Sequence, residues 1–144
     1  VVGTLLGVGV SQLLQQRSVA RSERFTRTEQ VRQERLQVYS SFAGSLMMYR
    51  RAQMERWLIC NGGEFEESDA ALRARAFDLR MEVYEGLFRV RLVTTGSAAA
   101  DAAQEAMEVI SRIPKAADED AYVALAREAK QKVTAFVTVA KDHM

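Results

Sequence analysis

The side chains able to do chemistry are few, and their spacing fits none of the common catalytic sets. The chain has one histidine, His143, and one cysteine, Cys60. A di-iron bundle needs paired Glu-x-x-His motifs and a zinc peptidase needs two histidines one helical turn apart, so a single histidine excludes both. One cysteine excludes thiolate clusters and an internal disulfide, and with no histidine near it in sequence Cys60 reads as a small buried residue at a helix end. A hydrolase triad would have to borrow His143 from the C-terminal tail. There is no Walker loop, and Gly3, Gly7 and Gly9 stand in an apolar segment, not in a strand-to-helix turn that would cradle a dinucleotide. Glu64, Glu66, Glu67 and Asp69 crowd one turn, a pattern that is usually solvated and only rarely a cation site. The expectation is a protein that is not an enzyme and carries no cofactor or metal.

Arginine offers more. The chain holds 16 arginines against 4 lysines, a bias that suits a bacterial source, yet its net charge is only +1. Nucleic-acid binders show a dominant basic patch, so no nucleic-acid partner is expected. Six arginines (Arg17, Arg21, Arg24, Arg27, Arg32 and Arg35) fall in residues 17–35 against Glu23, Glu29 and Glu34. At ~100° per residue, all but Arg27 share a face roughly 80° wide. Arg50 is different, because it falls inside an apolar stripe at the level of Leu79. It reads either as a buried ion pair with Asp78 or Glu82, or as an edge residue whose stem lies on the core while its head reaches water.

The arginine run follows residues 1–16, which carry no charge. Val1 to Leu14 gives about 21 Å of helix, and the hydrocarbon core of a bilayer is ~30 Å thick. The chain starts at valine, and upstream residues are expected to complete a span. Gly3, Gly7 and Ser11 recur every fourth residue, the spacing that lets membrane helices pack closely. Arg17, Arg21 and Arg24 would then meet lipid head groups on the cytoplasmic side, because basic residues accumulate there. A helix buried by protein instead of lipid is the other reading of this segment.

Periodicity lays out four helices. The first runs to about Cys60, where Asn61-Gly62-Gly63 stops it, and its stripe is Leu36, Tyr39, Phe42, Ala43, Leu46, Met54 and Trp57. The second starts after Ser68 or Asp69 and carries Leu72, Ala76, Leu79, Val83, Gly86 and Val90. A further series on it, Phe77, Met81, Tyr84 and Phe88, predicts a helix packed on two neighbours. The third buries Ala99, Ala102, Ala103, Ala106, Val109, Ile110 and Ile113 and ends at Pro114, the only proline. The fourth follows the acidic Asp118, Glu119 and Asp120 and buries Tyr122, Leu125, Ala126, Ala129, Val133, Phe136, Val137 and Ala140.

Short connections make neighbours antiparallel, so the expected fold is all-α. It is an antiparallel up-down-up-down four-helix bundle whose long first helix continues N-terminally into a membrane-spanning or protein-buried segment. The expected division is a transmembrane part at 1–16, an Arg-rich stalk at 17–35 and a cytoplasmic bundle at 36–144. Folding the first two helices together sets Trp57 near Leu72, Leu46 near Val83, and Ala43-Gly44 near Gly86. Three small residues at one level predict a close crossing there. The function expected is a membrane-anchored, inner-membrane, single-pass interaction or scaffold protein with a protein partner or copies of itself. The alternative is a sensor binding an apolar ligand near Tyr39, Arg50, Trp57 and Tyr84.

Overall fold

The computed structural model describes residues 2–144. Val1 and the side chains of residues 2–6 lie outside the described residues, and with them the expectation placed on Gly3. Among the described residues the chain is all-helical, with four α-helices: α1 Val2–Cys60, α2 Asp69–Val93, α3 Ala98–Arg112 and α4 Glu119–Asp142, and a 3-10 turn at Ile113–Lys115 between the last two. It divides into two units, Val1–Glu34 and Arg35–Met144.

In the first unit, Val8, Val10, Leu13 and Leu14 are all more than half exposed. No described helix is long and apolar enough to cross a membrane, so the described residues do not support the expected spanning segment. Polar Gln15 and Gln16 and then Arg17 follow directly on Leu14. Further along, Glu29 pairs with Arg32 at 2.7 Å. Thr26 and Thr28 each donate to the carbonyl four residues back.

The second unit is an antiparallel bundle. Opposite one another on α1 and α2 stand Cys60 and Asp69, Glu55 and Arg75, Phe42 and Gly86, and Arg35 and Val93, which run in opposite directions along the two helices. Facing α4 are Trp57 with Tyr122, Arg50 with Ala126, and Phe42 with Phe136. Lys132–Glu105 and Arg112–Glu128 join α4 to α3, again antiparallel. A single core runs through all four helices and includes Phe42, Leu46, Val83, Val90, Ile110, Ile113 and Phe136.

Local chemistry sets the ends of these helices. Gly62 takes φ +94° and lets the Gly63 N–H donate to the Leu58 carbonyl at 2.8 Å, which closes α1 with a left-handed residue that glycine tolerates best. Ser68 caps α2 by accepting from the Ala71 N–H, and Asp118 caps α4 by accepting from Ala121. Buried alanines at 99, 100, 103 and 106 line α3 and let its neighbours approach closely.

Candidate docking face on α2

α2 is built from two apolar series on different sides of one helix. Leu72, Ala76, Val83, Leu87 and Val90 are buried in the bundle. At ~100° per residue, the second series points roughly 130° away from them. Phe77 is 63% exposed, Met81 53%, Phe88 56% and Leu92 84%. α2 does pack on two neighbours, α1 at Phe42–Gly86 and α3 at Arg91–Gln104, but not through this second series as expected. The bundle covers only its Leu72–Val90 side, and the outward row is uncovered.

Charge borders this row on both sides. Arg73 and Arg80 lie along one edge, Asp78 and Glu85 along the other. The Arg80 guanidinium sits 5.6 Å from the centre of the Tyr84 ring, and its bond to the Tyr84 hydroxyl strengthens its hold on the proton. Tyr84 is half-buried, because it also borders a groove of about 840 Å³ shared with Glu105, Glu108 and Arg112 of α3. Arg73 pairs with Asp69 at 3.0 Å, and Arg89 pairs with Glu85. All four partners stand in water, so these pairs exchange at little cost.

The other residues singled out by sequence fall elsewhere. Arg50 is not brought to Asp78 or Glu82. Its Nε donates to the Ala126 carbonyl of α4 at 2.9 Å, and both acids are exposed on α2. Gly86 does mark a close approach, but to an aromatic ring. A Cβ there would lie 2.5 Å from Cδ2 of Phe42, whereas Gly44 has open space and Ala43 is half-buried. Cys60 is exposed, on the last turn of α1 past the buried Trp57. In the acid-rich turn, Glu67 pairs with Arg75 at 2.5 Å and Asp69 with Arg73, so arginines take up two of its four carboxylates. Among the described residues no group of histidine, cysteine and carboxylates could hold a metal ion. Gly7 and Ser11 are exposed, as are Arg17, Arg21 and Arg24.

Tyr39, Arg50, Trp57 and Tyr84 do not share a cavity. Trp57 is stacked on Tyr122 at 4.1 Å and donates to the Ala116 carbonyl. Tyr39 forms one wall of a separate apolar cleft of about 300 Å³ between α1 and α4, which Leu36, Ala43, Val137 and Met144 also line. The Tyr39 hydroxyl is buried without a hydrogen-bond partner, and burial holds its pKa above the usual 10.0.

Two polar features had no part in the sequence reading. Arg35 donates from Nε to the Val93 carbonyl at 2.9 Å and from a terminal nitrogen to the His143 carbonyl at 3.1 Å, so one guanidinium ties the C-terminal ends of α2 and α4 to α1. In the interior, buried Gln53 accepts from Arg56 and donates to the Tyr49 hydroxyl, which meets Ser111 of α3 at 3.2 Å. The spacing Phe42, Leu46, Tyr49, Gln53 is a continuous helical stripe and was a usable signal for the last two.

Residues 36–144 match the family described as KilB plasmid transfer protein. No curated protein and no solved structure matches the chain.

Proposed function

The chain belongs to the KilB plasmid transfer protein family, and from that membership we propose that it serves plasmid transfer as a non-enzymatic, membrane-anchored helical module that presents a docking face to protein. The observation that carries this reading is the uncovered row Phe77, Met81, Phe88 and Leu92 on α2. Large apolar side chains gathered on one exposed face mark interaction surfaces, and single scattered ones do not.

Membrane attachment is assigned to the first unit, where exposed Val8, Val10, Leu13 and Leu14 precede exposed Arg17, Arg21 and Arg24. Apolar contact with the acyl boundary combined with basic contacts to anionic head groups suits this order, and it does not require residues 1–16 to span the bilayer. The bundle would then lie on the cytoplasmic side of the inner membrane.

The test is plasmid transfer by the whole protein carrying Phe77→Ser and Phe88→Ser. Transfer is expected to fall sharply while circular dichroism and the thermal midpoint hold. Undiminished transfer would remove the docking reading. Cell fractionation with Arg17, Arg21 and Arg24 changed to Glu tests the anchor, and unchanged recovery in the membrane fraction would count against it.

A second reading, ligand sensing, draws on one observation, the apolar cleft walled by Leu36, Tyr39, Val137 and Met144. Its volume of about 300 Å³ is at the small end for ligand sites. Displacement of an environment-sensitive apolar dye that is lost on Ala43→Phe would support it, and no dye binding would end it.

A further inference from the structure

We propose that the exposed face of α2 pairs with the same face of a second copy of this chain, as a parallel, in-register two-stranded coiled coil. This rests on the docking reading above and names its occupant. Phe77, Met81, Tyr84 and Phe88 are spaced four, three and four residues apart, which is the alternation of core positions in a heptad repeat. Extended one step upstream, the same frame places Ala70 and Ala74 on the seam, and both are exposed. The seam thus covers about three heptads. An isolated helix of this length would be marginal in water, but α2 is already folded by its bundle face, so pairing has no helix to order.

Charge selects the partner and the direction. In this frame Arg73 and Arg80 occupy the position that precedes the seam in each heptad, and Asp78 and Glu85 occupy the position that follows it. In a parallel pair each preceding residue meets the following residue five positions on in the other chain. Arg73 then meets Asp78 of the second copy, and Arg80 meets Glu85, with both pairs repeated by symmetry. An antiparallel pair would set arginine against arginine and acid against acid. A chain whose two edges carry opposite charge, both basic residues on one and both acids on the other, is complementary to itself only in the parallel arrangement. The bundle does not obstruct it, because the buried series points roughly 130° away. The existing pairs Arg73–Asp69 and Arg89–Glu85 are exposed and free to exchange.

The experiment is sedimentation of the full chain across a concentration series. The native sequence is expected to form a dimer, and Arg80→Glu is expected to weaken it about tenfold or more by replacing two attractions with two repulsions. Arg80→Glu combined with Glu85→Arg restores the pairing, which a merely structural role for either residue would not produce. Direction is read by oxidative cross-linking of Ala74→Cys in a Cys60→Ser background. Parallel register brings position 74 against itself and gives a covalent dimer. A chain that stays monomeric, a dimer indifferent to Arg80→Glu, or a dimer in which Ala74→Cys fails to cross-link would each overturn the proposal. A monomer whose Phe77 and Phe88 variants still lose transfer would leave the docking reading standing, with a different protein as occupant. Unimpaired transfer by those variants removes the docking reading itself.

Discussion

Gly86 abuts the edge of the Phe42 ring, with no room between them for a methyl group. Phe42 is 1% exposed and packs edge-on to Phe136, so the ring cannot swing aside. Gly86→Ala should therefore destabilise the bundle by about 1–3 kcal/mol, although alanine is the better helix former. Gly44, on the same stretch of α1, has open space around it. Gly44→Ala should stabilise by up to about 1 kcal/mol. Chemical denaturation of the two variants checks the pair, and the same sign for both would refute the assignment.

Arg35 should be irreplaceable by lysine. Its guanidinium reaches two carbonyls at two helix ends, and a lysine ammonium has no planar fork to hold both. Arg35→Ala should cost about 1–3 kcal/mol, and Arg35→Lys should recover only a minor part. Hydrogen exchange at the last turns of α2 and α4 should rise in both variants, with the centre of α3 unaffected.

Alkaline pH should loosen the fold through its buried phenols. Burial holds the pKa values of Tyr39 and Tyr122 above 10.0, so the unfolded chain loses these protons first. The contribution is intact below about pH 10 and declines as pH climbs through the folded values. Tyrosinate absorbance of the native protein should lag that of the denatured chain, and Tyr39→Phe with Tyr122→Phe should reduce the lag.

Tyr39→Phe alone should be neutral or stabilising near pH 7, because it removes a buried hydroxyl that has no partner. A thermal midpoint lowered by several degrees would mean that the hydroxyl is satisfied after all.

Much of this architecture was legible in the sequence because helix periodicity and caps are local signals. Ser68, Asp118 and the glycines after Cys60 mark ends through bonds made within a few residues. The core stripe of α2 follows from spacing alone. What spacing does not carry is which faces of a helix its neighbours cover. Phe77, Met81 and Phe88 look like core residues, and only the arrangement of α1, α3 and α4 leaves them uncovered. Arg50 failed for a related reason. Its level along α1 was readable, but its target, the Ala126 carbonyl, depends on where α4 docks. Leu36 and Val137, both expected in the core, are 46% and 48% exposed because they rim the cleft beside Tyr39 and do not fill it.

The alanine lining of α3 makes the bundle's tolerance of sequence change lopsided. Ala99, Ala103 and Ala106 are 1% exposed or less, and shortening a methyl leaves almost no void. Damage at these three positions must therefore come mainly from growth. A valine or leucine at any of these positions would have to push two helices apart. In most cores the harmful direction is loss of volume. Drift at these alanines is held by a ceiling on size, while Phe42 and Phe136 opposite are held by a floor.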